Sequence, residues 1–397
     1  PKKLMKARYI LHCVLRESVE TRQYEHFTDE MNRHTPFKDT IYSSNLCVSG
    51  DTLILTDKGN VVISEVVDQR VNVWNGEEWS ETVVRKTGEN QKLLRVTTSS
   101  GNELKCTPYH KFYVMDGYSK VIKKEAKDLV AGDKLIKSEF PVIEGDTELE
   151  FAYENGFFTA EGTTLPSGKS RVYFYNTKRH LLKERFSEKL QLNVKGNLAT
   201  KRLQTETSLL RDKFFVPSSC HTLGSRLDWL AGLFDGDGYI TNNKGARSLQ
   251  LTSVNKEFLQ QVKLLLQTMG VNSKVVKGSD EGVNLLPAND GSGGKKGYLC
   301  KTSYRILIAN TGLNKLLTLG LKFSRLSNEV SSPNREAEHF SKVVSVSPVD
   351  GLHDTYCFNE SKRHMGVFNG ILTGQCQEIA LPTKSYENGI DDLNNPD

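Results

Sequence analysis

The sequence predicts a discontinuous all-β domain with an α+β domain of two pseudo-symmetric halves set inside it, and a short segment of different character on each flank. Three observations predict this. Short strands separated by turns fill residues 47–141 and return over 341–375, the pattern of a compact β domain. Between them, the segments 154–162 and 230–240 are related and stand about 76 residues apart, an internal repeat of half-domain size. A cysteine marks each border of the block, Cys47 at its start and Cys376 directly after Gln375 at its end. The 397 residues exceed one typical core, in keeping with several domains. The expected divisions are 1–46, 47–141, 142–340, 341–375 and 376–397.

Composition narrows the class. The net charge of +5 and pI near 8.7 permit nucleic-acid binding without requiring it. Seven widely spaced cysteines, with no Cys-x-x-Cys pair, argue against a disulfide scaffold or zinc ribbon and for a reducing compartment. No apolar run is long enough to cross a membrane, and the N-terminus lacks a signal-peptide core. The expectation is a soluble protein of the cytoplasm, or of the host cytoplasm if viral. The start on Pro1 suggests a piece of a longer polypeptide.

In chain order, Leu4, Ile10, Leu11, Val14 and Leu15 recur with helical spacing, and Pro36 breaks the pattern that follows. Strands are expected at 53–55, 59–63, 71–74, 93–98 and 111–114, with Asn75-Gly76 as a hairpin turn. Thr107-Pro108-Tyr109-His110, taken alone, reads as a turn with a surface histidine.

In the insert, each repeated segment reads as a helix that ends in an acid and a glycine. Gly156 and Ala160, and Gly232 and Gly236, fall at i,i+4 spacing on one face of each helix, so two such faces can meet backbone to backbone. Gly162 and Gly238 suit left-handed C-caps. Glu161 and Asp237 would then lie side by side and repel unless they share a cation; oxygen ligation suits magnesium, which can serve phosphodiester hydrolysis. Taken alone, the first copy reads rather as a packed helix pair with a capped end. Residues 171–175 alternate, with Arg171, Tyr173 and Tyr175 on one face, and 247–252 alternate with Ser248, Gln250 and Thr252 on the polar face. Either strand could line a DNA groove or be half-exposed in the ordinary way. Basic amphipathic helices are expected over 177–192 and 255–269, and 279–296 as a flexible loop. Lys178, Arg179, Lys274 and Lys301 are candidates for contact with phosphate. Strands at 342–346 and 356–359 close the insert, and Cys106 and Cys300 read as small core residues.

The ordered set Cys47-x-x-x-Asp51-Thr52, Thr107-x-x-His110 and Asp128-Leu129-x-x-Gly132-Asp133 resembles the N-terminal blocks of inteins and of hedgehog-type autoprocessing domains. Residues 356–375 resemble the C-terminal intein blocks, with Cys357 at a position usually Asp or Cys. Leu230–Tyr239 resembles the LAGLIDADG motif of homing endonucleases, and the first copy carries Glu161 in place of Asp. With 47–375 removed, Ser43-Ser44-Asn45-Leu46 joins Cys376-Gln377-Glu378-Ile379, a string that resembles the radical-cysteine segment of class I ribonucleotide reductase large subunits.

These resemblances imply roles. Cys47 attacks the Leu46 carbonyl, His110 protonates the departing amine and Thr107 polarises the scissile amide. Cys376 takes over the acyl group, and Gln375 cyclises to free the insert. Most inteins end His-Asn, whereas this block ends Gly374-Gln375, so His364 is expected to supply part of the missing histidine's role. Glu161 and Asp237 hold Mg2+ for cleavage of double-stranded DNA, the uninterrupted reductase gene. After splicing, Cys376 is the radical residue, Glu378 its acid–base partner and Asn45 a substrate contact, in company with the rest of the large subunit and its radical-generating small subunit. Alternatives of other classes are a splicing-only intein with an inactive nuclease, and a reductase fragment with an inert insert. A hedgehog-type domain needs no downstream nucleophile and fits Cys376 least.

Overall fold

The computed structural model describes residues 47–374 except 118–119, 192–193, 198–201, 244–245, 288–293 and 333–339. Asn45, Gln375, Cys376 and Glu378, and the helix expected in the first flank, lie outside the described residues.

Strands from 48–136 and 340–374 share one sheet network. Its core is aliphatic and aromatic, built on Val48, Ile54, Val84, Leu104, Phe112 and Phe368. The two sequence-distant parts interleave. Val48–Ser49 pairs on one side with Glu103–Cys106 and on the other with His353–Phe358. Lys134–Ile136 pairs with Phe340–Pro348, which closes the β domain across the insert. The longest strand, Trp79–Gln91, is not legible in the sequence because Glu81, Arg85, Lys86 and Glu89 obscure its alternation. The Asn75-Gly76 turn exists, but as a four-residue connection: Trp74 pairs with Trp79, and the Asn75 side chain accepts from the backbone N–H groups of Glu77 and Glu78. Asn369-Gly370 is a tighter hairpin. Both residues have positive φ, +48° and +75°, as a two-residue type I′ turn requires. This turn joins Met365–Phe368 to Ile371–Gly374, the strand that leads out of the described chain.

The insert has helices α1 (Ala152–Glu161), α2 (Leu181–Glu184), α3 (Leu223–Asp237), α4 (Lys256–Gln267) and α5 (Asn310–Thr318). Two four-stranded sheets repeat one order, first-second-fourth-third. The first runs Gly162–Thr164, Ser170–Tyr175, Arg202–Thr207, Lys195–Asn197, and the second Tyr239–Asn243, Ala246–Ser253, Ser303–Ala309, Ser273–Ser279. Each follows one long helix, α1 or α3, so the internal repeat seen in the sequence is a repeat of topology.

Helices α1 and α3 cross in direct backbone contact. A Cβ at Gly156 would collide with the Trp229 carbonyl, one at Gly232 with the Tyr153 carbonyl, and one at Gly236 with Ala160. The small-residue faces therefore meet as expected. The left-handed caps do not form. Gly162 and Gly238 are extended, with φ of −122° and −75°, because a strand begins at once after each helix. Glycine is needed there for another reason: a Cβ would strike Phe158 or Phe234. The C-terminus of α3 is closed instead by Arg325, whose guanidinium donates to the Phe234 and Asp235 carbonyls at 2.8 and 2.5 Å.

Three other expectations change. The helix expected over 177–192 is broken into a 3-10 turn, the short α2 and a second 3-10 turn. The break lets Phe186 turn inward against Tyr153, Phe157 and Phe174. Residues 279–296 are no simple loop: Gly282–Pro287 and Lys295–Cys300 form a two-stranded ribbon. Cys300 sits on that ribbon, half-buried, rather than in a core, whereas Cys106 is fully buried.

Candidate splicing and nuclease sites

Cys47 enters the β domain at the head of a strand that other strands flank on both sides, so it is buried at once. The Thr107 side-chain oxygen accepts from the Cys47 backbone N–H at 3.2 Å, and the Thr107 N–H donates to the Cys47 carbonyl at 2.9 Å. One residue thus grips both sides of the residue that follows the scissile bond. The sulfur accepts from the Thr87 hydroxyl at 2.9 Å. Such a donor stabilises negative charge as it develops on sulfur. Cys357 packs against Cys47, since Val48 pairs with Tyr356 and brings the neighbouring positions together.

His110 is fully buried, not a surface residue. Its backbone closes the 107–110 turn on the Thr107 carbonyl at 3.0 Å, and the rings of Phe112 and Phe368 meet it edge-on at 5.4 and 5.8 Å. Its Nε2 lies 2.8 Å from Thr373 Oγ1. Thr373 belongs to the last strand, paired with Gly366 and Phe112, so the histidine joins the start of the block to its end.

His364 takes a left-handed conformation, φ +54°, just before Met365, which pairs with Gly374. The buried Glu360 carboxylate holds that turn by accepting from the N–H groups of Lys362 and Arg363, each at 2.9 Å. Burial alone would raise the Glu360 pKa, but these bonds, with those from Ser80 and Asn75, bring it below the usual carboxylate value. Sequence reasoning missed Thr87 and Glu360, one in an unrecognised strand and one in a loop, with no local signal for either.

In the insert, the ends of α1 and α3 bring Glu161 and Asp237 to one ammonium, that of Lys178. Burial raises the Glu161 pKa, Lys178 opposes the rise, and Asp237 adds to it. Lys178 is in contact with Glu161 and 3.9 Å from Asp237, which singles it out among the basic candidates. Lys213, missed in the sequence, donates to the Gly162 carbonyl and feels both acids; burial lowers its pKa. Among the described residues no group of three or more His, Cys, Asp or Glu side chains gathers to hold a metal. Two neighbouring carboxylates nevertheless fit a hard divalent cation, of the kind that keeps several waters and takes phosphate oxygens beside one or two protein carboxylates.

The remaining DNA candidates divide. Arg171, Tyr173 and Tyr175 do share the less buried face of their strand. Arg171 is ion-paired with Glu206 at 2.5 Å, and Arg202 covers the Tyr173 ring. Gln250 is buried, and its amide nitrogen donates to Ser248 and Thr241 at 2.6 and 3.2 Å. Ser248 and Lys274 line a cavity of about 880 Å³ between the insert and the β domain, while Lys301 is exposed beyond the ribbon.

Comparison with known proteins accords with this architecture. A family model described as a LAGLIDADG-like domain matches residues 225–312, the second of the two halves. The ribonucleoside-diphosphate reductase large subunit of Invertebrate iridescent virus 6 is 38% identical over 408 residues, which is 97% of this chain and 42% of that protein. The chain thus spans less than half the length of that relative. A crystal structure of a Ssp DnaB mini-intein mutant overlays with a TM-score of 0.29 at 10% identity, covering 83% of this chain and 98% of that one. An I-DmoI variant in complex with its target DNA overlays with a TM-score of 0.27 at 14% identity, covering 43% and 94%. With scores so low, the fold rests on the chain's own strand order and helix pairing.

A β domain split by an α+β insert with a glycine-faced helix pair, and with cysteine, threonine and histidine gathered where its chain begins, defines an intein of the endonuclease-bearing class. Nearly the whole chain, flanks included, is similar to part of a ribonucleoside-diphosphate reductase large subunit.

Proposed function

We propose that residues 47–375 excise themselves and join Leu46 to Cys376. The observation that carries this is the double grip of Thr107 on Cys47, with His110 reaching from the same turn to Thr373. In the first step Cys47 Sγ loses its proton and bonds to the Leu46 carbonyl carbon. The C–N bond breaks, and the amine that leaves takes a proton, for which His110 is the donor. The Thr107 hydroxyl holds that amine in line, and the Thr87 hydroxyl steadies the sulfur before attack. Cys376 sulfur then displaces Cys47 sulfur from the thioester. The Gln375 side-chain nitrogen attacks its own carbonyl and expels the Cys376 amine, and that amine recaptures the acyl group from sulfur. His364 and Cys357 assist at the second border. Mass measurement on the freshly made chain tests this: an excised block and a joined flank are expected, and neither from Cys47→Ala. A wild-type chain that stays at full mass overturns the reading.

We infer that the insert cuts double-stranded DNA carrying the uninterrupted gene. Glu161 and Asp237 anchor Mg2+, and Lys178 and Lys213 offset the charge of the phosphate brought to them. Magnesium, when bound, supplies Lewis acidity to the phosphodiester and to water. Asp237→Asn should abolish cutting and spare splicing. A splicing-only reading draws on Lys178, whose ammonium already pairs with Glu161 and occupies part of the site; absence of cutting by the wild-type chain would favour it. After splicing, Asn45, Cys376 and Glu378 come together in the reductase, which acts with the rest of its large subunit and a radical-generating small subunit in the cytoplasm, or the host cytoplasm if viral.

A further inference from the structure

We propose that Lys263, on α4 of the insert, is a positioning residue for the second half of splicing: it holds the 98–103 loop and, through Asn102 and Asn369, the hairpin that delivers the C-terminal border. This rests on the splicing reading above. Lys263 is 3% exposed, and burial lowers the pKa of its amine to about 7. Its Nζ donates to the Ser100 carbonyl at 2.5 Å and to Asn102 Oδ1, both across the boundary in the β domain. These acceptors are neutral amide oxygens. A buried amine spends its donors on hydrogen bonds, and both of these bonds hold one loop of the β domain.

The contacts continue inward. The Asn102 amide donates to the Asn369 carbonyl at 2.6 Å. The Asn369 side chain accepts from the Leu53 N–H at 2.7 Å and donates to the Glu103 carbonyl at 2.8 Å. Asn369-Gly370 is the turn that aims Ile371–Gly374, and Thr373 in that strand meets His110. A Cβ at Gly370 would collide with Gln267 of α4 and with Asn102, so the turn and the helix are fitted to each other. Gln260 and Lys256 of α4 add contacts to the Gly101 carbonyl at 2.9 Å and to Glu103 at 3.3 Å. The nuclease helix thus braces the one hairpin turn that sets the register of the exit strand.

The two halves of the reaction can be timed separately in the full chain. Thiol-induced cleavage at Cys47 reports the first thioester, and release of residues 376–397 reports the second border. For Lys263→Met release at the second border should slow about tenfold or more, the loss expected when buried acceptors are left without their donor, while the first rate, which feels the hairpin only through Thr373 and His110, should slow distinctly less. Asn102→Ala should reproduce the split, and the double variant should be no slower than the worse single variant, as linked residues behave. Equal slowing of both steps, or an unchanged second step in a folded variant, overturns the proposal. If Lys263→Met fails to fold, the Asn102→Ala split decides alone. A wild-type chain that never forms the first thioester overturns the splicing reading and this inference with it.

Discussion

His110 Nε2 and Thr373 Oγ1, 263 residues apart in sequence, lie 2.8 Å apart inside the β domain. The same imidazole therefore serves the turn that grips Cys47 and the strand that leaves toward the second border. Thr373→Val keeps the shape and removes the hydroxyl. Loss of a buried partner costs about 1–3 kcal/mol, so slowing of roughly ten- to a hundredfold is expected in thioester formation. Time courses of thiol-induced cleavage check it, and an unchanged rate would remove Thr373 from the mechanism.

Thr87 donates to the Cys47 sulfur at 2.9 Å. Thr87→Val should slow the first step about tenfold or more, on the value of a hydrogen bond to a charged acceptor. Thr87→Ser should recover most of the rate, because the donor is restored. Equal rates for the valine and serine variants would count against the hydrogen bond.

Gly232 meets the Tyr153 carbonyl, whereas Gly224 at the start of α3 has nothing near its missing Cβ. Gly232→Ala must push the helices apart and should cost about 3 kcal/mol. Gly224→Ala in the same helix should be neutral or stabilise by up to about 1 kcal/mol. Thermal melts of the two variants should move in opposite directions or differ by several degrees. DNA cutting should fall in Gly232→Ala alone.

Burial and Asp237 raise the Glu161 pKa. A carboxyl with a raised pKa keeps its proton to higher pH, and proton and metal compete for the same oxygens. Metal affinity should therefore be weak below that raised value and climb as pH rises through it. Titration of Mg2+ binding against pH should show the climb, with the midpoint above the ordinary glutamate range. Lys178→Met removes the cation that opposes the rise, and should move the midpoint higher still.

Several features of the site were legible because they are local. The two acid-ended helices declare themselves within a few residues, through spacing that one helical face imposes, whereas Cys47 and the Thr107–His110 turn, alone read with a surface histidine, stood out only through their resemblance as an ordered set. The glycine faces were legible for the same reason, and the collisions at Gly156 and Gly232 bear them out. The caps at Gly162 and Gly238 were misread because a glycine after a helix serves either a positive φ or a close approach, and only the neighbouring Phe158 and Phe234 decide which. The ribbon at 282–300 was hidden by its Gly- and Asn-rich composition, since strand pairing there depends on the partner strand rather than on propensity.

By itself, the sequence determined the order of parts: a β domain in two pieces, a duplicated α+β insert between them, and a thiol at each border. Periodicity and short motifs encode these along the chain, where neighbours in sequence are neighbours in space. Only the tertiary structure decided which distant groups share a site. Thr87 on the Cys47 sulfur, His110 on Thr373, Lys178 beside Glu161 and Lys263 beneath Asn102 all join segments whose separation no local pattern records. Such pairs arise from strand order and helix packing across the whole chain, and their chemistry exists only once those surfaces have closed.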